Sequence, residues 1–307
     1  MKSDFYKEMS KNNWKTVLLF IMFFILVTLF GIAFGAYFGD IYFGVGLAII
    51  VGIIYTVIAY NFGASTILAS LNAKPVTSES DPYLYEVVDG LRIAAGLKNT
   101  PKIFMIKEDS MNAFATGVNP EKSYICVTSG LREKMNRQEL EGVIAHEMSH
   151  IRNKDIKVML LAAVLVGVVI LLSDVIFRSF IWRGAGRSRR SNSGGQAQWI
   201  LIIIALVLAI LAPLIAQLIK LAISRKREYL ADASAVQLTR YPAGLKSALE
   251  KIKGDTDVTV DTANKATAHM FIENPLRNKK RTSFITRMFS THPPIEDRIK
   301  ALESMSY

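Results

Sequence analysis

The chain has 307 residues, of which 51% are hydrophobic and only 21% are charged, and its mean hydropathy is +0.27. A soluble domain of this length normally carries more charge, so the composition argues against both a disordered chain and a wholly soluble globule. It predicts a membrane protein with an attached soluble part. The single cysteine, Cys126, excludes an internal disulfide framework and a cysteine-based zinc site.

The net charge is +11, from 37 Lys and Arg residues against 26 Asp and Glu residues. Such a surplus suits an anionic partner, either a nucleic acid or a negatively charged membrane surface. Because the chain is so apolar, we interpret the partner as the lipid bilayer and expect no nucleic-acid binding. A binder of nucleic acid or anionic lipid is the weakest alternative. It would use Lys220, Arg225, Lys226, Arg227 and the basic residues of 277–281.

The sequence contains four apolar segments, each about as long as a membrane span. The first uncharged run covers 16–39, which gives a helix of about 36 Å, enough to cross a bilayer. The predicted spans are 16–39 and 41–60, which form an N-terminal anchor at 1–60, and 158–177 and 199–219, which form a second hydrophobic hairpin at 158–219.

The first span follows four lysines, and it is longer than the apolar core of a signal peptide, which has ~7–15 residues. We therefore interpret it as an uncleaved anchor whose N-terminus lies in the cytoplasm. Small residues recur every four positions in both spans of the anchor, which predicts close packing between the two helices. These residues are Gly31, Gly35 and Gly39 in the first span and Gly44, Ala48 and Gly52 in the second.

The polar remainder consists of two blocks, 61–157 and 220–307, which together are long enough for one domain with a hydrophobic core. The second hairpin interrupts this predicted domain. The loop 183–198 is rich in Arg, Gly and Ser, and an outer position for it conflicts with the positive-inside rule. Either the first hairpin sets the topology or the second hairpin does not fully cross, and both options leave the two blocks on the cytoplasmic side.

A zinc-binding pattern lies in the first block. An amphipathic helix is predicted to begin at Asn136 with Glu139 three residues later, a capping pattern. The helix contains His146-Glu-Met-Ser-His150, the H-E-x-x-H pattern, in which both imidazoles lie on one face and can bind one metal ion. Glu147 is placed to take a proton from a water molecule at the metal. The alternative is a helix with two incidental surface histidines.

A zinc hydrolase needs a third protein ligand, and the best candidate is Glu228 in a second helical stretch. Asp232, one turn later, is predicted to orient a ligand histidine as a hydrogen-bond acceptor. His150 stands just before the third apolar segment and Glu228 just after the fourth, so an antiparallel hairpin brings them together at the membrane surface. The alternative for Glu228 is a solvated ion pair with Arg225 or Arg227.

Three short segments upstream of this helix are rich in β-branched and aromatic residues, which predicts strands at 103–106, 111–117 and 124–128. An exposed strand edge at this place would let an extended peptide add as a further strand. The sequence leaves open whether any of the three lies at an edge.

Four motifs occur in the order seen in the HtpX family of membrane-bound zinc metalloproteases, which the chain resembles over essentially its whole length. That family is more distantly similar to the CaaX prenyl proteases. The motifs are His146-Glu147-x-x-His150, Glu228-x-x-x-Asp232, Asn112-Ala-Phe-Ala-Thr-Gly and Thr291-His-Pro-Pro-x-x-x-Arg298.

The resemblance implies a mainly α membrane protein with four hydrophobic helices and a small α+β zincin-like (gluzincin) protease domain that is split by the second hairpin. It implies a zinc endopeptidase of the bacterial cytoplasmic membrane, with one Zn²⁺ per chain and an active site facing the cytoplasm. Its substrates would be misfolded or damaged membrane proteins, in a stress response. The implied site residues are the metal ligands His146, His150 and Glu228, the base Glu147, the transition-state groups His292 and Arg298, and Asn112 on a substrate-lining strand.

Two alternatives stay open. Two consecutive prolines ahead of Ile295 are typical of a helix start, which gives His292 and Arg298 a structural role in place of the transition-state role. A membrane scaffold or chaperone-like protein with a structural zinc ion would close the site with a fourth ligand, such as His269 or His292.

Overall fold

The structure of the protein is a computed structural model. It describes residues 14, 17–32, 35, 39–165, 167, 225–255, 260, 263, 267–273, 275 and 293–305. The fourth apolar segment, most of the third, the Arg-rich loop and His292 lie outside the described residues, so the expectations for them stay predictions.

The described part of the chain contains one four-stranded sheet surrounded by helices. The strands are β1 (Lys74–Val76), β2 (Lys102–Ile106), β3 (Ala113–Asn119) and β4 (Lys122–Thr128). The helices are α1 (Val17–Ile32), α2 (Ile41–Ser70), α3 (Pro82–Ala95), α4 (Ser129–Lys134), α5 (Arg137–Arg152), α6 (155–165), α7 (Arg225–Thr239), α8 (Pro242–Gly254) and α9 (Ile295–Glu303), and a 3-10 turn lies at Ala268–Met270. The three predicted strands are confirmed as β2, β3 and β4, and β1 is an additional strand.

Helix α2 begins after Asp40, whose side chain accepts a hydrogen bond from the amide of Phe43 at 3.0 Å. Its 30 residues give a length of about 45 Å, more than the ~30 Å core of a bilayer requires. Within the described residues α2 is the only helix long and apolar enough to cross a membrane, whereas α1 is apolar but shorter. The helix continues to Ser70, beyond the predicted span boundary at residue 60.

The exposed side chains of α2 change character along the helix. Over 41–62 the exposed residues are mainly large and apolar. Beyond Phe62 the exposed residues include Ser65 and Thr66, whereas Ile67 is buried under the sheet. An exposed apolar surface of the kind that faces lipid is therefore confined to the first two thirds of α2, and its last turns pack against the sheet.

Helices α1 and α2 approach each other closely at their small residues. A methyl group on Gly31 would lie 2.8 Å from Cβ of Ala48 and 2.9 Å from the carbonyl oxygen of Gly44. A methyl group on Gly35 would lie 2.7 Å from Cα of Ile41. The two backbones are thus in contact at Gly31, Gly35, Gly44 and Ala48, which confirms the predicted packing there, whereas the predicted Gly39 lies in the turn before α2 with nothing within 4 Å of an added methyl.

Helix α6, where the third apolar segment begins, packs against both of these helices. Leu161 shares an apolar cluster with Leu19 and Phe23 of α1. The hydroxyl of Tyr55 in α2 donates a hydrogen bond to the carbonyl of Val164 at 3.3 Å. Helix α6, which follows the H-E-x-x-H helix, therefore runs beside the membrane-capable helix α2.

The sheet has the strand order β1-β2-β4-β3, so β3 lies at one edge of it. Strands β1 and β2 are antiparallel, β2 and β4 are parallel, and β3 and β4 are antiparallel. On one face, Ile103 and Ile125 join the core around α5. On the other face, Phe114 and Cys126 pack under the last turns of α2. Because both faces are covered, the strands are continuous apolar runs rather than alternating ones.

Helix α5 lies at the centre of the soluble part. It begins with the predicted capping box, in which Asn136 accepts from the amide of Glu139 at 3.0 Å and the Glu139 carboxylate accepts from the amide of Asn136 at 2.9 Å. The helix packs against α3, β3, α7 and α8, and every residue over 142–151 is buried. Any polar side chain in this stretch must therefore find its partners inside the protein.

The close contact of α1 and α2 predicts how two glycines of α2 tolerate a methyl group. Gly44→Ala forces Cβ against the backbone of Gly35 and is expected to destabilise the protein by about 1–3 kcal/mol. Gly46→Ala is the matched control, because nothing lies within 4 Å of its added methyl. Thermal unfolding of both variants in detergent tests this, and an unchanged midpoint for Gly44→Ala would contradict the packing.

Candidate metal centre

His146 and His150 stand one turn apart on the buried face of α5, as the H-E-x-x-H pattern predicts. Their rings meet edge to face with centroids 4.8 Å apart, and their Nε2 atoms are 3.3 Å apart. The two residues are 1% and 4% exposed. The alternative of two incidental surface histidines is therefore wrong.

Helix α7 brings Glu228 to the same point. Its Oε2 lies 3.7 Å from Nε2 of His146, and its Oε1 lies 3.6 Å from Nε2 of His150. One potential ligand atom from each of the three residues lies within 4.8 Å of the other two. Glu228 is only 2% exposed, which excludes the solvated ion pair considered for it.

Asp232, one turn further along α7, stands behind the first histidine. Its Oδ1 lies 2.9 Å from Nδ1 of His146, in the predicted orienting position. Arg298 of α9 donates two hydrogen bonds to this carboxylate, from Nε at 2.9 Å and from Nη2 at 2.6 Å. The predicted start of the C-terminal helix at Ile295 is confirmed, and this helix delivers a fully buried guanidinium to the site.

The charges of this pair stabilise each other. Burial raises the pKa of Asp232, but the positive charge of Arg298 and the hydrogen bonds from His146 and Arg298 lower it more, to about 2. Burial disfavours the charged form of Arg298, but the charge of Asp232 raises the pKa of the guanidinium above its usual value. Both groups are therefore ionised at neutral pH.

Asp155, at the start of α6, stands behind the second histidine. Its Oδ2 lies 3.1 Å from Nδ1 of His150, and its Oδ1 accepts a hydrogen bond from Nη1 of Arg227 at 3.0 Å. Burial lowers the pKa of His150, but the hydrogen bond to Asp155 and the charges of Glu228 and Asp155 raise it to about 9. The electrostatics thus favour a positive charge here, which a proton or a metal cation supplies.

The sequence analysis missed both of these residues. Arg227 was assigned to lipid headgroups or to Glu228, and no role was given to Asp155. The only indication in the sequence is that Asp155 follows His150 by five residues. Whether its carboxylate faces His150 depends on the turn between the two helices. Lys154 between the two helices has φ +59°, a left-handed conformation that no pattern in the sequence indicates.

The arrangement fits a divalent metal ion. Hydrogen bonds to Asp232 and Asp155 place a proton on Nδ1 of each histidine, so the lone pairs of both Nε2 atoms point towards the Glu228 carboxylate. A cation between these three acceptors removes their repulsion. A cation would also reduce the excess of buried negative charge, since four carboxylates stand against two guanidiniums. The carboxylates are Glu147, Asp155, Glu228 and Asp232, and the guanidiniums are Arg227 and Arg298.

Glu147 lies between the two histidines in the sequence and is 2% exposed. It shares α5 with His146 and His150, so the rigid helix fixes its distance from both. Because Glu147 is buried, water screens its charge only weakly. This negative charge therefore contributes to the raised pKa values of Arg298 and His150.

Asn112 has partners within its own chain. Its Nδ2 donates to the carbonyl of Glu273 at 2.8 Å, and its Oδ1 accepts from the amides of Ala113 and Glu273 at 3.1 and 3.3 Å. The amide of Ile272 also donates to the carbonyl of Ala113 at 2.9 Å. The edge strand β3 is therefore covered by its own chain at Ala113, and a contact of Asn112 with substrate stays a prediction.

The sequence analysis also offers two further histidines as a fourth ligand. His269 lies in the 3-10 turn after α8, and His292 lies outside the described residues. Within the described part of the chain, the group of possible ligands consists of His146, His150 and Glu228.

The chain is similar to several known proteins. Residues 78–306 match the profile of a family described as Peptidase family M48. The chain is 46% identical to "Protease HtpX homolog" of Caldanaerobacter subterraneus subsp. tengcongensis, over 83% of this chain and 82% of that protein. It is 43% identical to "Protease HtpX homolog" of Listeria monocytogenes serotype 4a, over 98% of this chain and 99% of that protein. The crystal structure of S. mikatae Ste24p aligns with a TM-score of 0.49 and 19% identity, over 97% of this chain and 67% of that chain.

The buried pair of Arg298 and Asp232 predicts a large loss of stability when one partner is removed. Arg298→Met leaves a buried carboxylate without its cation, which costs about 3–5 kcal/mol and lowers the unfolding midpoint by roughly 6–20 °C. The measurement is thermal unfolding in detergent with a chelator present, so that metal binding does not contribute.

Arg92→Met serves as the control for this substitution. It removes the ion pair between Arg92 and Asp89, whose side chains are 23% and 35% exposed. The loss is expected to lower the free energy of unfolding by about 1 kcal/mol or less. Equal losses for the two variants would contradict the distinction between a buried and an exposed pair.

Proposed function

The chain belongs to peptidase family M48, and we propose that it acts as an endopeptidase of the bacterial cytoplasmic membrane that cleaves misfolded or damaged membrane proteins at the cytoplasmic face. The family and the identity to HtpX homologues make it a membrane metalloprotease that uses zinc, as the sequence motifs predicted. The observation that carries the proposal is the convergence of the buried side chains of His146, His150 and Glu228, with Glu147 on the same helix as the two histidines.

The proposed zinc ligands are His146, His150 and Glu228, which supply two neutral nitrogens and one carboxylate. When bound there, zinc supplies a Lewis acid that polarises a peptide carbonyl and lowers the pKa of water. The protein contributes the orientation of the ligands. Asp232 holds the ring of His146, and the helix geometry of α5 fixes the spacing of both rings.

Glu147 is the proposed general base and acid. Its carboxylate accepts a proton from the attacking water as the water oxygen bonds to the scissile carbonyl carbon. It then delivers this proton to the leaving amine nitrogen as the C–N bond breaks. The low exposure of Glu147 supports this role, because proton transfer inside a dry pocket does not compete with bulk water.

Arg298 is the proposed donor to the developing oxyanion. Its Nε and Nη2 are held by Asp232, whereas Nη1 makes no hydrogen bond within the described residues and lies 4.0 Å from Oε2 of Glu228. Nη1 is therefore the nitrogen left for a substrate oxygen. The transition-state role of His292 and the substrate contact of Asn112, just before β3, stay proposals from the motifs.

The proposed place of cleavage is close to the bilayer surface. Lys157, seven residues after His150, has its Nζ 5.9 Å from the ring centroid of Tyr60, near the end of the lipid-facing part of α2. Lysine and tyrosine at such a level suit the interface between hydrocarbon and water. Only seven residues, including the turn at Lys154, separate His150 from this level, so the proposed site reaches membrane-proximal segments of a substrate.

Substitution of Glu147 tests the proposed chemistry. Glu147→Gln is expected to abolish cleavage of a model membrane substrate by the detergent-purified protein but to retain one zinc ion per chain, because amide and carboxylate have the same shape but only the carboxylate accepts the proton. His146→Ala is expected to lose both zinc and activity. Activity is measured by cleavage, and zinc by elemental analysis.

The control is Glu141→Gln, the same change on the partly exposed side of the same helix, where Glu141 pairs with Arg137. It is expected to cleave at the wild-type rate. Wild-type turnover in Glu147→Gln would sink the assignment of the base. Bound zinc without any chelator-sensitive cleavage by the wild type would favour a structural zinc site in a scaffold.

The position of the site predicts a preference for membrane substrates. In proteoliposomes, a membrane-anchored substrate with its cleavable segment near the bilayer is expected to be cut faster than the same segment in a soluble unfolded protein. A matched substrate with the segment moved about 30 Å from the bilayer by a helical spacer of ~20 residues is the control. Equal rates for all three substrates would contradict the membrane-proximal proposal.

A further inference from the structure

We propose that Asp155 and Arg227 are positioning residues for the metal ion. Asp155 holds the ring of His150 in the orientation and tautomer that a metal requires, and Arg227 holds Asp155. This inference rests on the proposed zinc site, which it extends to two residues that the zinc-binding motifs do not include.

The geometry of the pair carries the inference. Asp155 is 2% exposed and uses one oxygen for each partner, with Oδ2 at 3.1 Å from Nδ1 of His150 and Oδ1 at 3.0 Å from Nη1 of Arg227, which is 4% exposed. A hydrogen bond from Nδ1 leaves the lone pair on Nε2, the atom that faces Glu228. A carboxylate behind a ligand histidine fixes the ring and increases its basicity.

The arrangement repeats the one at the other histidine. There Asp232 stands behind His146 and Arg298 stands behind Asp232. Each histidine therefore has a carboxylate at Nδ1, and each carboxylate has a buried guanidinium at its far side. The two carboxylates come from different helices, so the repetition arises from the packing of the site and not from a repeated sequence motif.

The local backbone shows what the position of Asp155 costs. Helix α5 ends at Arg152, and the amide of Lys154 bonds to the carbonyl of Ile151 at 3.1 Å. Lys154 adopts φ +59°, which costs a residue with a side chain about 1 kcal/mol. This left-handed residue turns the chain so that α6 begins at Asp155 with the carboxylate directed back at His150. A continuous helix would not place residues five apart on one face.

Arg227 links this contact to the third ligand. It directly precedes Glu228 in the first part of α7, so one helix carries both the ligand Glu228 and the cation that holds Asp155. Without Arg227, the Asp155 carboxylate would be drawn towards any other cation in the pocket, including the metal itself. The ion pair thus keeps Asp155 as a hydrogen-bond acceptor rather than a competing ligand.

The test is metal affinity, measured on the full-length protein in detergent. Metal is stripped and zinc is titrated in competition with a chelating dye. Asp155→Ala is expected to weaken zinc binding about 10–100-fold. Asp155→Asn retains an oxygen that accepts from Nδ1 and is expected to recover part of this loss. The absorption bands of the cobalt-substituted protein are expected to shift in Asp155→Ala, because the ring of His150 is no longer fixed.

Asp81→Asn is the matched control. Asp81 also makes a short ion pair with an arginine, Arg132, at 2.7 Å, and it is only partly exposed. It caps α3 and has no contact with the metal ligands among those that the structure shows. This variant is expected to lower the unfolding midpoint but to keep wild-type zinc affinity and the wild-type cobalt spectrum, which separates loss of an ion pair from loss of ligand orientation.

Wild-type zinc affinity and an unchanged cobalt spectrum in folded Asp155→Ala would overturn the inference. If this variant does not fold, Asp155→Asn and Arg227→Met decide the question, because each retains most of the side-chain volume while removing the charge, and wild-type affinity in both would likewise overturn it. Failure of the proposed function is distinguishable, since the wild-type protein itself would then bind no zinc or cleave no substrate.

Discussion

The site depends on keeping six charged side chains in a region that water does not reach. A carboxylate or a guanidinium in a protein interior costs several kcal/mol unless its charge is balanced and its hydrogen bonds are made. The protein meets this requirement by pairing opposite charges. Each histidine contacts a carboxylate, and each of these carboxylates contacts a guanidinium. The two guanidiniums balance two of the four carboxylates, and a proton on His150 or a bound metal cation offsets the remaining negative charge. A metal ion bound here would therefore also stabilise this part of the fold.

The same requirement explains why four helices meet at one point. Helix α5 supplies the two histidines and Glu147, α7 supplies Arg227, Glu228 and Asp232, and α6 and α9 supply one charged residue each. Because α5 is buried along the whole stretch that carries the histidines, the helices packed against it must supply polar side chains next to the two imidazole rings and apolar side chains elsewhere. The core around α5 and the metal centre are thus parts of one packing arrangement.

The sequence was sufficient to predict which of the proposed ligands and their partners share a helix face, because helix geometry sets that spacing. Two histidines four residues apart, and Glu228 four residues before Asp232, lie on single helix faces whatever the tertiary structure. It was not sufficient for Asp155 and Arg227, because their contact depends on a left-handed Lys154 and on the approach of α7 to the start of α6. The strands were predictable from composition, whereas the length of α2 was not, since 61–70 contains small and polar residues that fit a loop as well as a helix.

The long helix α2 connects the chemistry to the membrane. Its first part presents a lipid-facing apolar surface, and its last turns cover the face of the sheet that carries Phe114 and Cys126. The opposite face of the same sheet packs on α5. Helix α6, whose first residue holds the ring of His150, runs beside α2 through Tyr55 and Val164. One continuous helix thus joins the membrane-capable segment to the sheet that packs on α5. In the proposed membrane position, the distance between the bilayer and the metal centre would be a property of the fold rather than of a flexible tether.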